Sequence, residues 1–234
     1  TEIYTLSLHD ALPICDIEKC APFRQGLFHV QDISSQLCCL TLRPVVNETV
    51  LDVCAAPGGK SFTLAELMGN NGKLYSMDLH DMRVGLIKDG ASRLGIRIIT
   101  AMQNDASKFN AELPQADRVL CDVPCSGLGV IRRKPEIKFK SPSDFDGLPE
   151  IQYQILETSA RYVKPGGTLV YSTCTLSRAE NDEVAKRFAA AHPEFLPIVQ
   201  PVPYAGAAGD PTRTYCPDEN GGDGFFTASF RRVK

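Results

Sequence analysis

Two cysteines stand where they could do nucleophilic chemistry, in Asp122-Val-Pro-Cys125-Ser-Gly127 and in Ser172-Thr-Cys174-Thr175. Each motif closes a run, Asp117–Cys121 and Thr168–Ser172, that reads as a buried strand. If those strands are neighbours, their ends bring both thiols over one pocket. Thiols facing a pocket support covalent catalysis, because the thiolate form is a strong nucleophile. The competing reading is a chance pair of core cysteines, since a free cysteine packs as a small hydrophobe.

A second group of residues suits a cofactor. Thr49–Lys60 begins as an apolar strand, Val50–Cys54, and turns through a corner of small residues, Cys54, Ala55, Ala56, Pro57, Gly58, Gly59 and Lys60. A helical pattern follows from about Ser61 to Met68. Glycine has no Cβ, so such a corner lets a ligand approach the backbone. Gly59-Lys60-Ser61 looks like the end of a P-loop, and Val119-Leu120-Cys121-Asp122 looks like a Walker B run. The P-loop pattern requires glycine at position 54, where this chain has Cys54. S-adenosylmethionine (SAM) fits better. It needs a loose small-residue turn after the first strand and acidic residues after later ones. Asp78, roughly twenty residues past the glycine corner, suits the hydroxyls of a ribose, and Asp105 suits an adenine amino group. Their bland alternatives are a helix-capping aspartate and an Asx turn.

A fold must gather these groups. Strands are expected at Val50–Cys54, Lys73–Met77, Arg97–Met102, Asp117–Cys121 and Thr168–Ser172, with last strands at Phe195–Val199 and Phe225–Arg231. Helices fall between them. One runs from a cap at Ser34 or Asp32 to Arg43. One is capped by Asp81 and stopped by Gly95, with Leu86, Ile87, Ala91 and Leu94 on its inner face. One spans Pro149–Val163 with Ile151, Ile155 and Tyr162 inward. One follows Ser177, whose spacing to Glu180 reads as a capping box. Pro201–Gly224 reads as a long loop. Alternating strands and helices demand a mostly parallel sheet, here of seven strands, with helices on both faces. Ligands of such sheets bind beyond the carboxyl ends of the strands. Cys54–Lys60, Asp78, Asp105, Asp122, Cys125 and Cys174 all fall there.

The 234 residues suffice for one large α/β domain, or for a domain with an arm. A hydrophobic content of 43% supports a sizeable core. A net charge of -3 excludes a globally basic nucleic-acid binder and leaves room for a local basic patch. Ile131–Lys140 is such a patch: Arg132, Arg133, Lys134, Lys138 and Lys140 face Glu136 alone, which suits phosphate contacts beside the pocket. Its bland alternative is a solvated loop. No apolar run approaches the roughly 18 residues of a membrane-spanning helix. Nine cysteines lack any C-x2-C pair, and His9, His29, His80 and His192 are scattered, so neither a metal site nor a disulfide framework is expected. Reduced thiols fit a cytoplasmic protein. The first residue is not Met, and Thr1 to about Ile14 shows no clear period and no basic signal-peptide start. That stretch looks like translated sequencing-adapter read-through. Residues 1–25 are therefore set apart as a partly artefactual or remnant segment, and 26–234 as the catalytic domain.

The motifs together resemble a known family. Gln31-Asp32, Asp52-Val-Cys-Ala-Ala-Pro-Gly-Gly-Lys60, Asp122-Val-Pro-Cys-Ser-Gly127 and Ser172-Thr-Cys-Thr175 look like those of the RNA cytosine-C5 methyltransferases of the Nop2/NSUN/RsmB (Sun, Fmu) family. Val130-Ile-Arg-Arg-Lys-Pro-Glu-Ile-Lys138, Glu180-Asn181 and Gly224–Arg231 also match, and the first of these is most similar to the RsmB branch. The resemblance implies a Rossmann-like class I fold, SAM as cofactor and small-subunit (16S) ribosomal RNA as substrate, acted on by a monomer without metal or membrane. It further implies that Cys174 attacks C6 of the cytosine, that Asp122 holds the base near N3 and N4, and that Cys125 assists product release. DNA C5 methyltransferases attack instead with the Pro-Cys cysteine, so spacing alone does not divide the roles. Lys60 is expected to orient Asp122 or a cofactor carboxylate. RsmB-type proteins carry a NusB-like N-terminal RNA-binding domain that has no counterpart in these residues. A P-loop NTPase and a non-catalytic RNA-binding module on the same fold are the alternatives.

Overall fold

The computed structural model describes residues 4–7, 17–199 and 210–234. Strands β1 (Tyr4–Ser7) and β2 (Phe28–Gln31) pair in parallel as a two-stranded ribbon, on either side of helix α1 (Ala21–Arg24). The N-terminal stretch, whose sequence shows no clear period, thus carries a strand. Helix α2 (Ile33–Leu42) follows, capped by Asp32, whose carboxylate accepts the Ser34 N–H. Next come β3 (Thr49–Asp52), α3 (Gly59–Leu67), β4 (Lys73–Asp78), α4 (Asp81–Arg93), β5 (Ile99–Gln103) and β6 (Ala116–Asp122). The chain continues with α5 (Leu148–Ala160), β7 (Val163–Thr173), α6 (Asp182–Ala191), β8 (Phe195–Pro197), β9 (Thr212–Tyr215), α7 (Pro217–Asn220) and β10 (Phe225–Arg232).

The main sheet runs β5-β4-β3-β6-β7-β10-β8, and β9 pairs with β10 as an eighth strand. The five strands from β5 to β7 are parallel; β10 is antiparallel to β7, β8 and β9. Seven strands make the continuous path expected from the alternation. The additional strand and α7 lie inside Pro201–Gly224, where a loop was expected. Residues 200–209 fall outside the described set.

The parallel strands are apolar on both faces, and the pleat sorts their residues. Leu51, Val119, Leu169 and Phe226 enter one core, with Ile155, Leu156 and Phe188 from α5 and α6. Val50, Leu120, Val170 and Phe225 enter the other, with Leu37, Phe62 and Ile87 from α2, α3 and α4. This is the Rossmann-like α/β architecture expected from the sequence.

Three helix details differ from expectation. In α4, Ile87, Ala91 and Leu94 are buried with Val84, while Leu86, one residue off that stripe, faces out. Asp81 is the first helical residue, and the cap position belongs to His80 without a side-chain cap. In α5, Ile155 and the following Tyr162 are buried, but Ile151 is exposed. Finally, α6 starts at Asp182, beyond the supposed capping box. Glu180 is instead a buried carboxylate serving another loop, as described below.

Candidate active site

Strand order reverses at β3, whose neighbours are β4 and β6. Crossovers leave such a point in opposite directions and open a crevice at the carboxyl ends of the strands. A cavity of about 500 Å³ lies there. Small-molecule sites usually measure about 300–1,000 Å³. Cys54, Ala56, Asp78, Asp105, Asp122, Cys125 and Cys174 line it. Five strand ends that are distant in sequence therefore deliver most of the chemistry-bearing residues to one place.

The two thiols touch. Cys125 Sγ and Cys174 Sγ are 3.2 Å apart. The hydrogen bond from Cys125 holds the Cys174 thiol below its ordinary value against the opposing effect of burial, and the Lys60 charge helps. The same contact, together with burial, pushes the Cys125 thiol well up. A thiol held below its ordinary value gives its thiolate more readily, and of the two that thiol is Cys174.

Backbone and buried side chains fix this pair. Ser126, next to Cys125, and Thr175, next to Cys174, join their hydroxyls at 2.8 Å. Glu180, 2% exposed, accepts from Ser126 N (2.9 Å), Ser126 Oγ (2.6 Å) and Gln152 Nε2 (2.9 Å). A buried carboxylate must find donors, and here it finds them on the Cys125 loop and on α5. Gly129 N donates to the Cys174 carbonyl (3.0 Å), and Gly224 N donates to the Gly129 carbonyl (2.9 Å). A Cβ on Gly129 would stand 2.0 Å from the Gly224 oxygen, so only glycine permits this approach.

Lys60 and Asp122 form an ion pair of 2.8 Å beneath the thiols. Burial alone would lower the Lys60 ammonium, but Asp122 outweighs it and holds the lysine above its ordinary value. Ser172 Oγ donates to the other Asp122 oxygen at 2.8 Å, which fixes the carboxylate plane. Asp52, at the end of β3, is fully buried; burial pushes its carboxyl up to about 7, the Ser61 hydroxyl at 2.7 Å opposes this, and the Asp122 charge adds to it.

The small-residue corner is built differently from its reading as a ligand cradle. Ala55, Pro57, Gly58, Gly59 and Lys60 do not line the cavity; Val53, Cys54 and Ala56 do. Gly58 has φ +115°, and a Cβ there would stand 2.4 Å from the Phe62 ring, so this glycine serves packing. Lys60 turns under the corner to Asp122. No lysine of the corner is thereby left to meet a phosphate, as a P-loop requires. The peptide bond Ala56–Pro57 is cis.

Asp78 is buried at the cavity wall, where Oδ1 accepts the His80 N–H (3.1 Å) and Oδ2 lies 3.3 Å from Arg83. Arg83 also donates to the Ala56 carbonyl at 2.9 Å and so ties the corner to Asp78. Asp105 makes an Asx turn, accepting from Ser107 N (3.1 Å) and Ser107 Oγ (2.6 Å), and pairs with Lys108 (2.9 Å). The Ser107 hydrogen bond holds its carboxyl below the usual range.

The basic loop divides. Arg133 pairs with Asp223, and Arg132 donates to the Gly221 carbonyl at 2.8 Å. Asp223 N in turn donates to Asp32 at 3.2 Å. These two arginines tether the loop. Lys134, Lys138 and Lys140 are exposed. Among the described residues no group of three or more His, Cys, Asp or Glu could hold a metal, and no helix is long and apolar enough to cross a membrane.

Among the cavity residues that escape a reading of the sequence are His80, Arg83, Ile151 and Gln154. Ile151 carried a signal of the wrong kind, since its apolar character and helical spacing mimic a core position. Glu180 carried one too, as half of the Glu180-Asn181 pair of the resemblance.

A profile of the family 16S rRNA methyltransferase RsmB/F matches residues 39–231. The chain is 49% identical over 218 residues to a probable ribosomal RNA small subunit methyltransferase B of Bacillus subtilis, covering 90% of this chain and 49% of that one. It is 37% identical over 220 residues to the probable enzyme of that name in Synechocystis, again covering 90% of this chain and 49% of the relative. The chain thus spans about half the length of these curated relatives. Among solved structures, NSun6 from Pyrococcus horikoshii with SFG superposes with a TM-score of 0.84 at 28% identity, over 94% of this chain and 57% of that one. A switch-point cavity holding two touching thiols beside a half-buried lysine–aspartate pair, in a chain with these relatives, places the protein: it belongs to the 16S rRNA methyltransferase RsmB/F family.

Proposed function

We propose that this chain methylates C5 of a cytosine in RNA, with small-subunit ribosomal RNA as the substrate class and residues 26–234 as the catalytic domain. The observation that carries the reading is the contact of Cys125 with Cys174 at 3.2 Å above the Lys60–Asp122 pair. C5 of cytosine is a poor nucleophile until C6 is attacked. Cys174, held toward its thiolate form, forms a bond to C6, and C5 then carries the electron pair. SAM, held in the cavity by Asp78, Asp105 and the Cys54–Ala56 backbone, supplies the electrophilic methyl group. The fit rests on the cavity's size and on acidic groups at successive strand ends. Asp122, oriented by Lys60 and Ser172, hydrogen-bonds the base near N3 and N4. With Cys125 assisting, the C5 proton passes to solvent; the electrons of that C–H bond restore the C5–C6 double bond and expel the Cys174 thiolate. The target base must leave its stack to expose C6, as for other enzymes that act on nucleobases.

The test incubates the chain with methyl-labelled SAM and 16S ribosomal RNA, then analyses nucleosides by mass spectrometry. Label in 5-methylcytidine, absent with Cys174→Ala, is the expected result. Label at any other position, or none, overturns the proposal.

A further inference from the structure

Phe139 is 89% exposed, while every other phenylalanine among the described residues is shielded or has a ring partner of its own. Phe109, the next most exposed at 41%, stacks on Tyr162 at 5.0 Å with the Arg161 guanidinium 3.7 Å over its ring. No ring or cation contact to Phe139 is present among the described residues. Its position is nevertheless fixed. It ends the 3-10 turn Pro135–Phe139, whose Ile137 is buried. Ile137 Cδ1 lies 3.0 Å from where a Gly127 Cβ would be, so the turn rests on the loop that carries Cys125. Upstream, Arg133 and Arg132 are moored to Asp223 and Gly221. In and beside the turn, Lys134, Lys138 and Lys140 are exposed, Lys140 with its ammonium 5.8 Å over the Phe145 ring, and Glu136 is the one opposing charge of the turn.

We propose that Phe139 is a stacking platform for a nucleobase flanking the target cytosine, with the three lysines holding the phosphates on either side. The proposal rests on the reading of the chain as an RNA methyltransferase and goes beyond it by naming a residue and a mode of contact. An exposed aromatic side chain flanked in sequence by Lys138 and Lys140 matches single-stranded RNA, whose splayed bases stack on aromatic side chains while the backbone meets positive charge. An apolar protein surface would match the ring but not the lysines. The contact of Ile137 with Gly127 ties the turn to the loop that carries Cys125, and a flanking base held on Phe139 would keep the strand open for extrusion of the cytosine.

The experiment measures binding of the 234-residue chain to a stem-loop RNA with a cytosine in its single-stranded loop, at several salt concentrations. Phe139→Leu keeps an apolar side chain of similar size and removes the π face; Phe139→Tyr keeps the face. Stacking predicts about a 5- to 100-fold weaker dissociation constant for Phe139→Leu, the equivalent of ~1–3 kcal/mol per base. It predicts near-wild-type binding for Phe139→Tyr and an unchanged salt slope in both. Lys138→Gln should instead lower the salt slope by about one unit. SAM affinity should not move in any variant. Irradiation of the complex should give a peptide–nucleotide adduct at Phe139. Equal RNA binding by Phe139→Leu and wild type overturns the proposal and leaves a protein surface as the occupant of the ring. Nucleoside analysis of the wild-type chain incubated with SAM and 16S ribosomal RNA separates the two levels. With 5-methylcytidine present, that result removes only the platform. With none formed, the methyltransferase reading fails as well.

Discussion

Ser126 and Thr175 share a hydroxyl–hydroxyl hydrogen bond of 2.8 Å one residue beyond Cys125 and Cys174. The bond spans two strand ends and sets the separation of the thiols next to it. Its order depends on Glu180, which accepts from both the nitrogen and the hydroxyl of Ser126. Glu180→Ala leaves three buried donors without their acceptor, and each unsatisfied group costs about 1–3 kcal/mol. The variant should lose roughly 2–4 kcal/mol of stability in urea unfolding, non-additivity included. At temperatures where it remains folded, it should bind SAM normally and methylate slowly. Normal turnover by the folded variant would show that the Cys125 loop holds its place without Glu180.

Roles for the two cysteines separate in a gel. Cys174→Ala should abolish both methylation and any covalent RNA adduct. Cys125→Ala should form the adduct and fail to resolve it, giving a SAM-dependent protein–RNA band under denaturing conditions. An adduct that persists in Cys174→Ala and vanishes in Cys125→Ala would exchange the roles.

Thiol reactivity tests the cause of the Cys174 shift. Cys125 lowers the Cys174 thiol through its hydrogen bond. Alkylation of Cys174 by iodoacetamide, followed by peptide mass spectrometry, should rise with pH to a midpoint below the ordinary thiol value. In Cys125→Ala the midpoint should move up, because burial then acts with less opposition. Coincident midpoints in the two proteins would assign the shift to another group.

The Asp52 carboxyl makes stability depend on pH. Its folded value of about 7 lies above the unfolded value, which is about 3.9 for aspartate. Between these values the folded chain keeps a proton that the unfolded chain has released, so stability falls as pH rises through that window and is level above it. Asp52→Asn cannot titrate. The stability of the variant relative to wild type should therefore grow from about pH 4 to 7, by roughly 1–4 kcal/mol at 1.36 kcal/mol per unit. A difference that stays constant in urea unfolding across this range would mean an ordinary carboxyl at position 52.

The sequence made the sheet legible because its strands are apolar and its helices periodic, and both signals are local. The strand-end residues Asp78, Asp105, Asp122, Cys125 and Cys174 were legible for the same reason: alternation alone sends them to one edge. What local pattern could not carry was direction. Lys60 sits in a corner that resembles a ligand cradle, yet its side chain turns inward to Asp122. Gly58 looks like an opening for a ligand and is an opening for Phe62. Ile151 fits the apolar period of α5 but lies at the cavity rim, since periodicity marks a stripe and not what the end of that stripe faces. Arg132 and Arg133 read as free cations because Gly221 and Asp223, their partners, are distant in sequence. Glu180 shows the same limit: the spacing of a capping box is met, and tertiary donors decide its use.

The backbone approach of Gly224 to Gly129 bears on when the site comes into being during synthesis. Both cysteines leave the ribosome well before Gly224 and β10 do. Until then β7 has only one neighbour in the sheet, and the Gly129 peptide that grips the Cys174 carbonyl is itself held on one side. A nascent chain halted between Thr175 and Gly224 would contain both thiols without the clamp that closes on them. The last support of the Cys174 carbonyl is therefore added by a late segment of the chain.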